Sequence, residues 1–121
     1  NIVMASTDVS FDLSNENLNT IRKAAGVLGT TDLMIEGNPS DTHLDLTITD
    51  ISNPTSNSYS IKIDVDKEIE ADFQLVFNIN NFKFDVGDYI VDISSKLISK
   101  FTHKTRPLMY WVALEKTSKF N

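Results

Sequence analysis

Most apolar residues in this chain recur at every second position. Leu44, Leu46 and Ile48 alternate with polar residues, and the stretch 59–65 repeats the pattern. Because successive side chains of a strand point to opposite faces, this period predicts antiparallel β-sheet with one buried and one solvated face. By the same reading, further strands are predicted around Val9, Phe11 and Leu13 and at 31–37, 72–78, 88–95, 97–103 and 108–115.

Two segments break the alternation. Residues 14–28 place apolar residues at helical spacing, with Ser14 as a candidate N-cap and Gly29 as a candidate stop. The spaced residues are Leu18, Ile21, Ala25 and Leu28. The segment from Asn78 to Phe84, with Gly87 as its stop, predicts one or two turns of a second helix.

The element order repeats. Strand, helix and three strands are followed by the same series, and residues 8–13 resemble residues 70–75, each just before a predicted helix. A sheet with one solvated face needs a cover on the other, which two neighbouring helices would supply. We therefore predict an α+β fold of two strand–helix–three-strand halves with antiparallel sheets.

Length and composition narrow the class of protein. The chain has 121 residues, enough for one domain, and no cysteine, so disulfides and thiolate metal sites are excluded and a reducing compartment is favoured. Apolar runs stay well short of the roughly 18 residues that a membrane span needs. Since the chain begins with Asn1 and not with methionine, we expect it to be a piece of a longer protein.

Signals for enzyme chemistry are nearly absent. The sequence has no nucleophile-elbow, phosphate-loop or zinc-protease motif. The acid-rich stretch 64–72 has Ile69 where a calcium loop needs glycine. His43 and His103 are interpreted as solvated surface residues, although a hydrolase or metal enzyme would need a polar pocket around one of them. We expect no enzymatic activity, no cofactor and no metal.

The charge distribution points to binding. The whole chain carries a net charge of −6, yet segment 14–29 nets +1, from Arg22 and Lys23 against Glu16, and segment 53–72 nets −3. The predicted second helix carries Lys83 and no acid before Asp85. This pattern is typical of a weak, sequence-independent contact with phosphates, and chance polarity on a solvated face is the alternative.

The last predicted strand carries an aromatic anomaly. If Leu108, Tyr110, Val112 and Leu114 face the core, the single tryptophan, Trp111, faces away from it. An exposed tryptophan is typical of a protein-binding anchor. The alternative is that a loop or another part of the protein covers it.

Three short segments together resemble a known family. They are FNINNFKF at 77–84, GDY at 87–89 and YWVALE at 110–115, and their order and spacing agree with the repeat described above. They are similar to the C-terminal domain of the sliding clamps, or DNA polymerase processivity factors, of myovirus-type phages. The resemblance implies two halves with both helices on one side of the sheets. It also implies a subunit of two such domains, three of which close a homotrimeric ring around duplex DNA.

The resemblance implies roles for particular residues. The DNA-facing positions are Arg22, Lys23, Lys83 and Asn19. The groove for the partner peptide is formed by Trp111, Ala113, Leu114, Leu97 and Met4. Residues 1–7 are expected to be the remnant of an interdomain linker, and 8–121 the single clamp-type domain.

The implied partners follow from the same family. They are duplex DNA, bound weakly and without sequence specificity, the C-terminal peptide of a phage DNA polymerase, the clamp loader, and late-transcription factors. No membrane is involved, and the implied location is the cytoplasm of an infected bacterial host. The remaining alternative is a small non-enzymatic antiparallel α+β protein-binding module unrelated to clamps, which two helices on opposite faces of the sheet would favour.

Overall fold

The computed structural model describes residues 7–53, 55, 57–65 and 68–120. Within them the chain forms one α-helix, one short 3-10 turn and nine strands. In chain order these are β1 (Val9–Leu13), α1 (Asn15–Leu28), β2 (Asp32–Gly37), β3 (His43–Ile48), β4 (Tyr59–Asp64), β5 (Phe73–Asn78), the 3-10 turn (Ile79–Asn81), β6 (Tyr89–Ser94), β7 (Ile98–His103), β8 (Met109–Ala113) and β9 (Lys119–Phe120).

The strands form two antiparallel sheets, ordered β1-β6-β7-β8 and β4-β3-β2-β5-β9. Each half of the chain contributes its first strand to the sheet of the other half, since β1 pairs with β6 and β5 pairs with β2. In these pairs Phe11 lies opposite Val91, and Leu33 lies opposite Phe77. The predicted α+β fold and its repeated order are confirmed, and β9 is an addition that the alternation did not predict.

The inner faces of both sheets share one hydrophobic core. Phe77 of β5 and Phe101 of β7 meet edge to face, with ring centroids 6.2 Å apart, and so join the two sheets. The strand alternation explains much of this core, because β1, β2 and β3 each bury every second residue.

Helix α1 has the predicted bounds and caps. The Ser14 side chain accepts a hydrogen bond from the amide of Asn17, and Gly29 ends the helix with φ 68°. The buried residues Leu18, Ile21 and Ala25 form the stripe that packs on the core.

The predicted second helix is shorter than expected. Only Ile79–Asn81 are helical, as a single 3-10 turn. Phe82 and Phe84 are both buried, and their rings stack with centroids 5.2 Å apart. Two buried residues spaced by two require an extended chain, so the helix ends before them.

Two further sequence interpretations are corrected. His103 is not solvated: it is only 6% exposed, because β7 alternates and turns this residue inward. Gly87 does not stop a helix. It has φ 143° and lies directly against the His103 ring.

Residues 82–88, which we term the 82–88 connection, run beside α1. The Arg22 guanidinium donates a hydrogen bond to the carbonyl oxygen of Phe82, and the Asn15 side chain accepts one from the amide of Gly87. These contacts place α1 and the second helical segment on the same side of the sheets. In the described part of the chain, no helix is long and apolar enough to cross a membrane.

Candidate functional site

The exposed face of α1 carries one basic side chain. Asn19 and Lys23 are both exposed and lie four residues apart, so they sit one above the other on the helix. Glu16 in the first turn and Val27 near the end extend the same stripe, and Val27 is 86% exposed. The stripe therefore offers one cation, one amide and one carboxylate to solvent.

Arg22 lies apart from this stripe. It is half-buried, and its guanidinium nitrogen Nη2 lies 2.5 Å from the carbonyl oxygen of Phe82. Hence Arg22 contacts the backbone of the 82–88 connection, whereas the resemblance assigns it to the DNA-facing surface.

Lys83 is exposed between two buried phenylalanines. The flanking side chains of Phe82 and Phe84 are buried in the aromatic core, so the alternation of an extended chain turns Lys83 outward. The Arg22 bond to the Phe82 carbonyl brings Lys83 close to α1. The structure thus places Lys83 directly after the residue that Arg22 contacts.

The 82–88 connection is also held at its second end. The amide of Asn15 donates to the Asp88 carboxylate at 2.7 Å, which places an acidic group at the N-terminus of α1. The Tyr89 hydroxyl donates to the Asp85 carbonyl at 2.6 Å. Burial, assisted by the neighbouring Tyr110, raises the pKa of Tyr89 to about 12, so this hydroxyl keeps its donor proton over the physiological range.

Trp111 lies on the outer face of the sheet formed by β1, β6, β7 and β8. It is the last residue in a row that crosses the four strands. In this row Ser10 pairs with Asp92, Asp92 with Lys100, and Lys100 with Trp111. The Lys100 ammonium lies 5.9 Å from the centre of the indole ring, a cation–π distance. The indole is therefore half-buried by its own sheet neighbour, and its remaining surface faces outward.

The other residues predicted for the groove are distributed over both faces. Ala113 is exposed on the same face as Trp111, and so is the 53% exposed Met109 on the other side of the indole. Leu114 turns the other way and is 6% exposed in the core. Leu97 is half-buried in the β6–β7 turn, where its carbonyl accepts the amide of Leu114 at 3.0 Å. Met4 lies outside the described residues.

The sequence reasoning missed three features of these surfaces. Lys100 was not predicted to belong to the surface around Trp111. The only sequence signal for it is its position in β7, opposite the last predicted strand. An open cleft of about 360 Å³ separates α1 from the start of β4 and is lined by apolar groups that include Val27 and Tyr59. A second cleft of about 540 Å³ lies on the outer face of the other sheet, where Met34 and Ile51 line it.

Clusters of metal-ligating side chains are missing from the part of the chain that the structure describes. There, no group of three or more His, Asp or Glu side chains could hold a metal ion. His43 lies on the polar face of β3 near Lys62 and Asp45 and is half-exposed. The imidazole of His103 is used in loop structure, accepting the amides of Thr105 and Arg106.

Comparison with known proteins gives a consistent family. A family model described as "gp45 sliding clamp, C terminal" matches residues 10–116. A sliding clamp of Vibrio phage KVP40 is 27% identical over 105 residues, which are 87% of this chain and 46% of that protein. The chain thus spans about half the length of the curated relative that it matches.

Comparison with solved structures supports the fold. A crystal structure from Eubacterium rectale, described as a candidate DNA polymerase III beta subunit, matches with a TM-score of 0.67. The match covers 93% of this chain and 31% of that one at 16% sequence identity. At this identity, the likeness concerns the fold alone.

Proposed function

The chain belongs to the gp45 sliding clamp C-terminal family, and we propose that it is part of a sliding clamp, a non-enzymatic processivity factor for a DNA polymerase. The observation that carries the proposal is the duplicated architecture. Two halves exchange their first strands, and both helical segments lie on one side of the sheets. An unrelated binding module would not require this repeat. The phage origin of the matched relative supports action in the cytoplasm of an infected bacterium.

The helical side is proposed to face duplex DNA. Asn19, Lys23 and Lys83 are exposed there, and the chain as a whole is acidic, with a net charge of −6. Because the surface has few cations and the chain is acidic, its contacts with phosphates should be weak and should not depend on base sequence. Sliding along DNA requires both properties. A closed ring holds DNA by topology, so a tethered polymerase gains effective concentration at the template without tight binding.

The ring itself is proposed to be a homotrimer of longer, two-domain subunits. Strands β4 and β8 each pair with a single strand among the described residues, so each offers one edge for pairing with another domain. At β4 the apolar cleft with Val27 and Tyr59 adjoins this edge. Because a joint needs edges from two different domains, we expect this chain alone to be a monomer or a weak dimer. A stable trimer in light scattering at micromolar concentration would contradict this.

The outer face around Trp111 is proposed to dock a hydrophobic partner peptide. Met109, Ala113 and the uncovered part of the indole form an apolar strip beside Lys100, and Leu97 lies at its end. Leu114 supports this strip from the core, and Met4 remains a proposed member on the linker side. The partners proposed are the polymerase C-terminal peptide, the clamp loader and late-transcription factors, which would share the surface.

The single tryptophan allows a direct test of docking. We would titrate the protein with the last ten or so residues of a related phage DNA polymerase and follow Trp111 emission. A saturable blue shift is expected, because the peptide removes water from the indole. The control peptide replaces the apolar residues with alanine and should give no shift. Emission that is unchanged by the native peptide would contradict docking at this face.

DNA contact is tested by salt dependence on the full-length ring. Each lysine that contacts a phosphate adds roughly 1 to the slope of log affinity against log salt. We expect Lys23→Ala and Lys83→Ala each to lower the slope by about that amount. Lys62→Ala, on the outer face of β4, is the matched control and should leave it unchanged. Equal slopes in all three variants would refute the DNA-facing assignment.

A further inference from the structure

Arg22 and Asn15 form a second stripe on α1, separate from the exposed one. They lie seven residues apart, which is close to two helical turns, so they point in nearly the same direction. Both contact the 82–88 connection, Asn15 through the Gly87 amide at 3.1 Å and Arg22 through the Phe82 carbonyl. This stripe therefore attaches α1 to the connection that carries Lys83.

The Arg22 contact acts on the peptide group that joins Phe82 to Lys83. On the core side the Phe82 ring packs against Phe77 and Phe101, with centroids 5.6 and 5.2 Å away. The core thus fixes the Phe82 side chain, and the guanidinium fixes the orientation of its carbonyl. Together they determine where the chain presents Lys83.

We propose that Arg22 is a positioning residue of the DNA-facing surface, which holds Lys83 beside α1 and does not itself contact phosphate. The inference rests on the proposed clamp function. Its physical basis is that a half-buried guanidinium already bonded to the Phe82 carbonyl would have to give up that charge-assisted bond to reach a phosphate. Lys23 and Lys83 are exposed, so they would not have to give up such a bond to reach a phosphate.

The first measurement is hydrogen exchange at the Phe82 amide in the full-length protein. This amide donates to the Ile79 carbonyl at 2.9 Å, so it reports whether the 3-10 turn is closed. Arg22→Met removes the donor and keeps the aliphatic stem. We expect Phe82 exchange to become about tenfold faster, since a hydrogen bond from a charged donor is lost. Lys23→Met is the matched control, one residue away and exposed, and should leave the rate unchanged.

The second measurement is a double-mutant cycle in DNA affinity. If Arg22 acts through Lys83, Arg22→Met lowers affinity in the native background but by no more than about twofold in a Lys83→Met background. If Arg22 contacts phosphate itself, the two losses multiply. Arg22→Lys keeps the charge but not the planar fork of the guanidinium. If Arg22 positions Lys83, the DNA affinity of this variant should fall in step with the rise in its Phe82 amide exchange rate.

The outcomes separate the two claims. Unchanged Phe82 exchange in Arg22→Met, or losses that multiply in the cycle, would overturn the positioning role. Unchanged DNA affinity in both Lys23→Met and Lys83→Met would overturn the proposed DNA-facing surface, and with it the reason for positioning Lys83. In that case faster Phe82 exchange in Arg22→Met would leave Arg22 as a structural contact only.

Discussion

Replacement of Gly87 by alanine is predicted to destabilise the fold strongly. The residue has φ 143°, and a Cβ built there would lie 2.1 Å from Nε2 of His103. The ring cannot retreat freely, because its Nε2 bonds the Val86 carbonyl and its Nδ1 accepts the amides of Thr105 and Arg106. The substitution therefore strains the backbone and also displaces a ring with three hydrogen-bonding partners.

The magnitude follows from these two terms. A non-glycine residue in a sparsely populated backbone region costs about 1–3 kcal/mol. Displacing the His103 ring adds about 0.5–1.5 kcal/mol for each hydrogen bond that is lost. With three hydrogen bonds at stake, we expect Gly87→Ala to lower the free energy of unfolding by about 2.5–7.5 kcal/mol in total.

Urea unfolding at constant m-value measures this loss. Gly26→Ala is the matched control: Gly26 lies exposed within α1, and an added Cβ meets nothing within 4 Å. It should raise the free energy of unfolding by about 0.5–1 kcal/mol. In a His103→Ala background, Gly87→Ala should cost only the backbone part, about 1–3 kcal/mol. A loss below about 1 kcal/mol in the native background, or the same loss in both backgrounds, would refute the argument.

Three other predictions concern single residues. The pKa of Tyr89 is raised from 10.0 to about 12 by burial, so its contribution to stability is full below pH 10 and is lost as the pH rises towards 12. The total is about 3 kcal/mol, and Tyr89→Phe should flatten this part of the stability–pH curve measured by urea unfolding. Leu114→Ala should lower the free energy of unfolding by about 2–5 kcal/mol, because the side chain is in the core. Trp111→Ala should abolish peptide binding in calorimetry and cost less stability than Leu114→Ala. A larger loss of stability in Trp111→Ala than in Leu114→Ala would contradict the placement of the two side chains. Ser14→Ala should lower the free energy of unfolding by about 1 kcal/mol, and an unchanged urea midpoint would show that its bond to Asn17 does not cap α1.

Strand positions were predictable because their signal is local. Residues 43–48 alternate in sequence and alternate in burial, and the same holds for β1 and β2. The caps of α1 were predictable for the same reason, since Ser14 and Gly29 act within one turn of the helix that they bound. Family membership was also accessible, because the order of three short segments agrees with the repeat.

Two of the missed features had a local signal that was overlooked, and a third depends on a distant part of the chain. The length of the second helix was overestimated because a helical reading of Asn78–Phe84 ignored the period-two spacing of Phe82 and Phe84. His103 was taken as solvated, although the alternation of β7 places it on the same buried face as Phe101. The role of Arg22 could not be read from charge alone, because its partner is a main-chain carbonyl 60 positions away.

The exchange of first strands has a consequence for how the protein is made. Ser10 and its partner Asp92 are 82 positions apart, so β1 leaves the ribosome long before the strand that completes its sheet. At roughly 5–20 residues per second, this interval is on the order of 4–16 seconds. The β2–β3–β4 meander can pair during that time, whereas the hydrogen-bonding edge of β1 stays unpaired until β6 is synthesised. Nascent chains stalled before β6 should therefore be the species that chaperones bind and that aggregates most readily.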